Sequence, residues 1–197
     1  MKFMAFAVLA SAALMASGTV SAQQEKEKQS GATSASQKSD KVGSNTDANR
    51  LKDLAQANMA EIEAGKLAAQ KAQGAELKKF AQRMVDDHSK QLEEIKKLAQ
   101  AKAIELPTAP DAKHEGAMKK LQSASGEAFD KAYMRQQVRD HRDALKLAQR
   151  TAKNAHDADL KSSAQKAAPE IQEHLKMAQQ ISRSTKQAKK GQAGAGR

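Results

Sequence analysis

Four long stretches of this sequence carry apolar side chains at every third or fourth residue, the spacing of one face of an α-helix. Each apolar face also contains an ionisable side chain, and these are Glu61, His88, His141 and His174. Because apolar helix faces pack against one another, the pattern predicts that these four groups meet in the protein interior. Burying them costs several kcal/mol unless each finds a partner, so the layer points to a specific role.

Capping and helix-breaking residues set the limits of the four helices. Gly74 separates the first two, Thr46 or Asp47 caps the first, and Asp157 caps the fourth. We expect helices at about 48–73, 75–103, 127–155 and 158–185. The short joints make each pair antiparallel, whereas the long connection between helices 2 and 3 contains two prolines and a short helix capped by Asp111. These features predict an all-α, antiparallel four-helix bundle of the ferritin-like type.

The two ends of the chain differ in composition from this helical region. Residues 1–22 have a lysine, a short apolar run and small residues at the end, which is typical of a secretory signal peptide cleaved after Ala22. An uncleaved N-terminal anchor is the alternative. Residues 23–47 are predicted to be a disordered linker, 48–185 the bundle domain and 186–197 a basic disordered tail. No later segment is apolar enough to span a membrane, so we expect a periplasmic or secreted protein.

Composition narrows the range of functions. The chain has no cysteine, which excludes disulfides, thiolate ligands and thiol nucleophiles. Its net charge is +11, but only 3% of its residues are aromatic, and an exported protein is not expected to meet nucleic acid. Anionic cell-envelope surfaces are therefore the expected partners. No catalytic motif is recognisable, and the sequence does not indicate an oligomeric state.

Several sequence blocks resemble a known bacterial family. "AEIEAGKLAAQKAQ", "FAQRMVDDHSK", "FDKAYMRQQVRDH" and "PEIQEHL" are similar to the signatures of domain of unknown function 4142, and the resemblance covers residues 48–181. It implies an exported, ferritin-like four-helix bundle without an established biochemical role. Ferritin-like di-iron proteins carry Glu-x-x-His motifs, but Val85, Val138 and Ile171 stand three residues before the histidines here. Di-iron chemistry is therefore not expected.

Two interpretations of the polar layer remain open. Glu61, His88, His141 and His174 could bind one transition-metal ion, such as zinc, copper, manganese or iron. Three carboxylates could then orient the imidazoles as hydrogen-bond acceptors: Asp87, Asp130 and Glu170. Met84 and Met177 lie one turn from His88 and His174, and their thioether sulfur atoms make copper one of the candidate metals. Alternatively, the same groups form a hydrogen-bond network that only fixes the packing of the helices. In that case the protein would bind its partners through its Lys-rich exterior.

Overall fold

A computed structural model describes the backbone of residues 22–194 and the side chains of residues 44–185. Within this part, the chain forms five helices and no strand: α1 Ala22–Lys71, α2 Ala75–Ala101, α3 Ala112–Ser123, α4 Gly126–Asn154 and α5 Ala158–Gly194. The chain divides into two units, Met1–Asp40 and Lys41–Arg197, and every contact described below lies within the second. The expected signal peptide lies outside the described residues, except for Ala22.

Helix α1 begins earlier than the sequence pattern suggested. Its backbone is helical from Ala22, so it includes the stretch predicted to be a disordered linker. That stretch contains no proline and is rich in Ser, Gln and Lys, so no residue in it forces the helix to stop. At the other end of the chain, α5 continues to Gly194, into the stretch predicted to be a tail. None of the helices, where described, is long and apolar enough to cross a membrane.

Asp47 does not cap its own helix, and this prediction was wrong. The residue is buried inside α1, and its Oδ2 atom accepts hydrogen bonds of 2.8 Å from the backbone N–H groups of His156 and Asp157. Those groups belong to the turn between α4 and α5, so Asp47, together with its ion-pair partner Arg50, ties α1 to that turn. The predicted caps Asp157 and Asp111 are confirmed, because each accepts from a backbone N–H three residues ahead.

Among residues 44–185, whose side chains are described, the apolar interior consists of two clusters, one on each side of the polar layer along the helices. The larger contains the aromatic side chains of α2 and α4 and small residues of α1: Ala64, Ala68, Phe80, Phe129 and Tyr133 are among its members. The smaller gathers Leu51, Leu92, Ile95 and Leu160 with other apolar residues. On α1, α2 and α5 the polar layer lies between residues of the two clusters, so apolar packing holds it from both sides.

Gly65 lets α1 and α2 approach closely. A Cβ atom at this position would lie 2.9 Å from Cγ2 of Val85 and 3.0 Å from the carbonyl oxygen of Ala81. Both distances are too short for a carbon atom, and the second neighbour is backbone that cannot rotate away. The position therefore needs glycine for space, and the close approach fixes how the two helices face each other.

Candidate metal centre

Three imidazoles from three helices meet in the interior. His88 lies on α2, His141 on α4 and His174 on α5, and their solvent-exposed fractions are 6%, 1% and 0%. Their ring centroids are separated by 5.4, 5.5 and 5.3 Å, which makes a nearly equilateral triangle. One nitrogen from each ring lies within 4.8 Å of the others. The sequence-predicted histidines are therefore brought together.

One nitrogen of His88 points away from the triangle and is already engaged. Its Nδ1 atom lies 2.9 Å from Oδ1 of Asn58, which is buried on α1. The orientation of this amide is set by its other end, because Nδ2 of Asn58 donates to the carbonyl oxygen of Leu54 at 2.8 Å. An amide oxygen can only accept, so Nδ1 of His88 carries the hydrogen and Nε2 carries the lone pair.

The other two rings are held in the same way. Nδ1 of His141 donates to the carbonyl oxygen of Gln137 at 3.1 Å, and Nε2 of His174 donates to Oδ2 of Asp87 at 3.0 Å. Each neutral imidazole thus has its N–H bonded to an oxygen outside the triangle. This outward hydrogen bond is the arrangement that fixes metal-binding histidines in proteins.

The inward nitrogens have no hydrogen to share. Nε2 of His88 and Nε2 of His141 are 3.4 Å apart, and with both protons on Nδ1 this pair is two facing lone pairs and not a hydrogen bond. Nδ1 of His174 is buried without a partner. Two nitrogens on one ion at about 2.0–2.1 Å would be separated by about 3.3–3.6 Å, so the observed spacing suits a shared metal ion.

Protonation of an imidazole does not turn the contact between His88 and His141 into a hydrogen bond. Burial lowers the pKa of all three imidazoles, and the neighbouring rings lower those of His88 and His141 further. The pKa of His141 falls from 6.5 to about 3. The triad is therefore neutral at physiological pH, with three lone pairs directed into one buried space.

Glu61 lies behind His141 and not among the inward nitrogens. Its Oε1 atom is 3.9 Å from Nδ1 of His141, the nitrogen that faces outward, and its Oε2 accepts from Nε2 of Gln137 at 2.5 Å. Burial, followed by the negative charge of Asp140, raises the pKa of Glu61 from 4.5 to about 8 despite the hydrogen bond from Gln137. Glu61 thus keeps its proton at neutral pH.

The three carboxylates expected to support the histidines take different positions. Asp87 bonds His174, and although burial opposes its charge, the hydrogen bonds from His174 and Arg83 hold its pKa below the ordinary value. Glu170 lies beside Asp87 and His174, with one ligand atom of each within 4.8 Å of the others. Asp130 contacts no imidazole: its carboxylate accepts from the backbone N–H of Gln73, in the turn between α1 and α2.

Sequence reasoning did not assign roles to Asn58 and Gln137. Both lie on apolar helix faces, one turn from Glu61 and His141, and both are buried. A polar side chain on such a face was the available signal. Of the two methionines, Met177 accepts a hydrogen bond of 3.4 Å from Arg83 through its sulfur atom, and Met84 is fully buried.

Comparison with known proteins agrees with the fold. The family model of the domain of unknown function DUF4142 matches residues 32–181. The chain belongs to the DUF4142 family. No curated protein matches the sequence.

Solved structures of other proteins have a similar fold. CopM in its Cu(II)-bound form is 19% identical, with a TM-score of 0.61 over 70% of this chain and 96% of CopM. CopM in its Ag-bound form is 22% identical, with a TM-score of 0.59 over 70% and 96% of the two chains. A DUF305 fragment from Deinococcus radiodurans is 9% identical, with a TM-score of 0.62 over 68% and 93%. At these identities the likeness concerns the fold alone.

Proposed function

We propose that this protein binds one copper ion, as Cu(I), between His88, His141 and His174. The observation that carries the proposal is the arrangement of hydrogens: three outward N–H groups are bonded to oxygen acceptors, and three inward lone pairs share one buried space. A structural hydrogen-bond network would place a proton between the facing nitrogens of His88 and His141. The triad has none to place there, whereas a metal ion satisfies all three lone pairs at once.

The charge of the site favours a monovalent ion. The three ligands are neutral, and Glu61 keeps its proton, so no anion faces the centre directly. Asp87, bonded to His174, supplies a compensating negative charge. Zn²⁺ in structural sites takes four ligands and brings two charges into the interior, which makes it the less favourable occupant. The solved CopM structures with Cu(I), Cu(II) and Ag support a soft metal in this fold.

The proposal also covers the fold that holds the site and the compartment in which the protein acts. The four long helices form an antiparallel, ferritin-like four-helix bundle, because the joints at Ala72–Gly74 and Ala155–Asp157 are short and the connection through α3 is long. The protein works in the periplasm or outside the cell after loss of residues 1–22. One solved DUF305 protein of similar fold, from Streptomyces coelicolor, is predicted to be secreted, which supports this location.

Copper binding is tested by an anaerobic competition titration of the full chain against a chromogenic Cu(I) chelator. We expect one tightly held ion per chain, lost on His88→Ala, His141→Ala or His174→Ala and kept on His156→Ala, whose imidazole is exposed. Copper at 100–1,000 times Kd should raise the unfolding free energy by about 3–4 kcal/mol. Equal copper binding by the wild type and the three triad variants refutes the proposal, as does the absence of binding.

A second candidate function is attachment to anionic envelope surfaces. A groove between α3 and α4 is lined by four exposed cations: Lys113, Lys120, Arg135 and Arg139. Co-sedimentation with anionic vesicles should fall as salt rises to about 0.5 M, because these charges are screened. It should also fall on Arg135→Gln combined with Arg139→Gln. Sedimentation that persists at high salt contradicts this function.

A further inference from the structure

The three outward hydrogen bonds of the triad differ in what fixes them. The acceptor for His141 is a backbone carbonyl, and the acceptor for His174 is the ionised carboxylate of Asp87. Neither group can donate, so these two rings have one arrangement of hydrogen and lone pair. The partner of His88 is the side-chain amide of Asn58, which can present either its oxygen or its NH₂ group to the ring. The tautomer of His88 therefore depends on how one amide is turned.

The two tautomers of His88 have opposite consequences for the triad. With the hydrogen on Nδ1, the Nε2 atoms of His88 and His141 face each other across 3.4 Å as two lone pairs. With the hydrogen on Nε2, the same contact becomes a hydrogen bond in which His88 donates to His141. Two of the three inward nitrogens would then satisfy each other, and a metal ion would have to break that bond to enter.

The backbone of α1 decides which way the amide of Asn58 is turned. Its Nδ2 atom donates to the carbonyl oxygen of Leu54 at 2.8 Å, and its Oδ1 atom lies 2.9 Å from Nδ1 of His88. Turning the amide over would place Oδ1 against the carbonyl oxygen, two acceptors with no hydrogen between them. Asn58 is only 5% exposed, and such an unsatisfied contact is costly in the interior. The orientation with the oxygen toward His88 is therefore strongly favoured.

We propose that Asn58 is the positioning residue that keeps the triad open for a metal ion. Leu54 orients the amide, the amide holds the hydrogen of His88 on Nδ1, and Nε2 is left with no hydrogen to donate to His141. The triad is thus preorganised, because an ion enters without a proton shift. The effect on metal affinity rests on the proposed copper function, whereas the position of the proton is a property of the metal-free protein.

The position of the proton is tested by ¹⁵N NMR of the imidazole rings in metal-free protein at neutral pH, which distinguishes protonated from unprotonated ring nitrogens. In the wild type, Nδ1 of His88 should carry the hydrogen. In Asn58→Leu, which has a similar size but no acceptor, the hydrogen should move to Nε2. The conservative variant Asn58→Asp supplies an acceptor oxygen again and should restore the wild-type tautomer. A hydrogen on Nε2 in the wild type overturns the proposal whether or not Asn58→Leu folds, as does an unchanged tautomer in that variant.

Gln136→Leu is the matched control for this substitution. Gln136 is a buried amide on α4, 6% exposed, that bonds the side chain of Asp140 and no imidazole of the triad. Its replacement also puts an apolar side chain in place of a buried amide, but it leaves the partner of His88 untouched. The tautomer of His88 should therefore stay as in the wild type. The same change of tautomer in this control contradicts a specific role for Asn58.

The consequence for metal binding is measured by anaerobic competition for Cu(I). Asn58→Leu should lower the Cu(I) affinity about 10–100-fold, the usual effect of removing the outer partner of a ligand histidine. Asn58→Asp and Gln136→Leu should retain the affinity. Equal affinities of the wild type and Asn58→Leu overturn the positioning role. The two measurements separate the proposals: a wild type that has the Nδ1 tautomer but binds no Cu(I) refutes the copper function, and the control of the His88 proton by Asn58 stands.

Discussion

The protonation of Glu61 leads to a pH-dependent effect of one conservative substitution. The carboxyl group is buried beside Gln137 and His141, and its pKa is raised from 4.5 to about 8. In the unfolded chain it ionises at the ordinary value, so between pH 4.5 and 8 the folded state holds a proton that the unfolded state has released. Stability contributed by the neutral group is therefore complete below pH 4.5 and is lost as the pH rises through about 8.

The size of this loss follows from the pKa change. A rise from 4.5 to about 8 corresponds to about 5 kcal/mol at 1.36 kcal/mol per pH unit. Glu61→Gln keeps the shape and remains neutral at every pH, so it avoids this loss. The variant should match the wild type at pH 4 and exceed it by about 5 kcal/mol at pH 9, or about 10–20 °C in Tm.

The assay is urea unfolding of metal-free protein at several pH values between 4 and 9, with a chelator present throughout. Glu63→Gln is the matched control, because Glu63 is exposed two residues away on the same helix. It should show no such divergence with pH. If Glu61→Gln and the wild type keep a constant difference from pH 4 to pH 9, Glu61 does not hold a proton in the folded state and the argument is refuted.

Three further outcomes are expected for the metal-free protein. Gly65→Ala should destabilise the fold by about 1–3 kcal/mol in denaturant unfolding, because its Cβ would collide with Val85, whereas Gly116→Ala in open space should stabilise it by about 0.5–1 kcal/mol. Asp47→Ala should cost about 1–3 kcal/mol by leaving the backbone N–H groups of His156 and Asp157 without their acceptor, and an unchanged Tm would contradict that. Finally, the pKa of His141, lowered to about 3, makes stability fall as pH drops from about 6.5, and His141→Gln should reduce that slope in acid titrations.

The polar layer illustrates how far sequence patterns reach. The spacing of apolar residues was enough to place His88, His141 and His174 on inward-facing stripes, and short joints placed them at similar heights. The same reasoning could not tell which of the four groups face one another and which lie behind them. Glu61 has the right height and face, yet it contacts the outward nitrogen of His141. One residue along a helix changes the direction of a side chain by 100° and its height by 1.5 Å. Which side chains contact each other therefore depends on the tertiary structure.

The amino-acid order alone determined the helical class, the positions of the turns, and which side chains face inward, because these depend on local periodicity and on capping residues close in sequence. Only the packed structure decided where each proton and lone pair is directed, since Asn58, Gln137 and Asp87 reach the imidazoles from different helices or turns. It also decided that Asp47 accepts from the backbone of His156 and Asp157 in the turn between α4 and α5, across 109 and 110 residues of chain. Such long-range pairings depend on how helices rotate and slide against each other, which apolar patterns constrain only approximately.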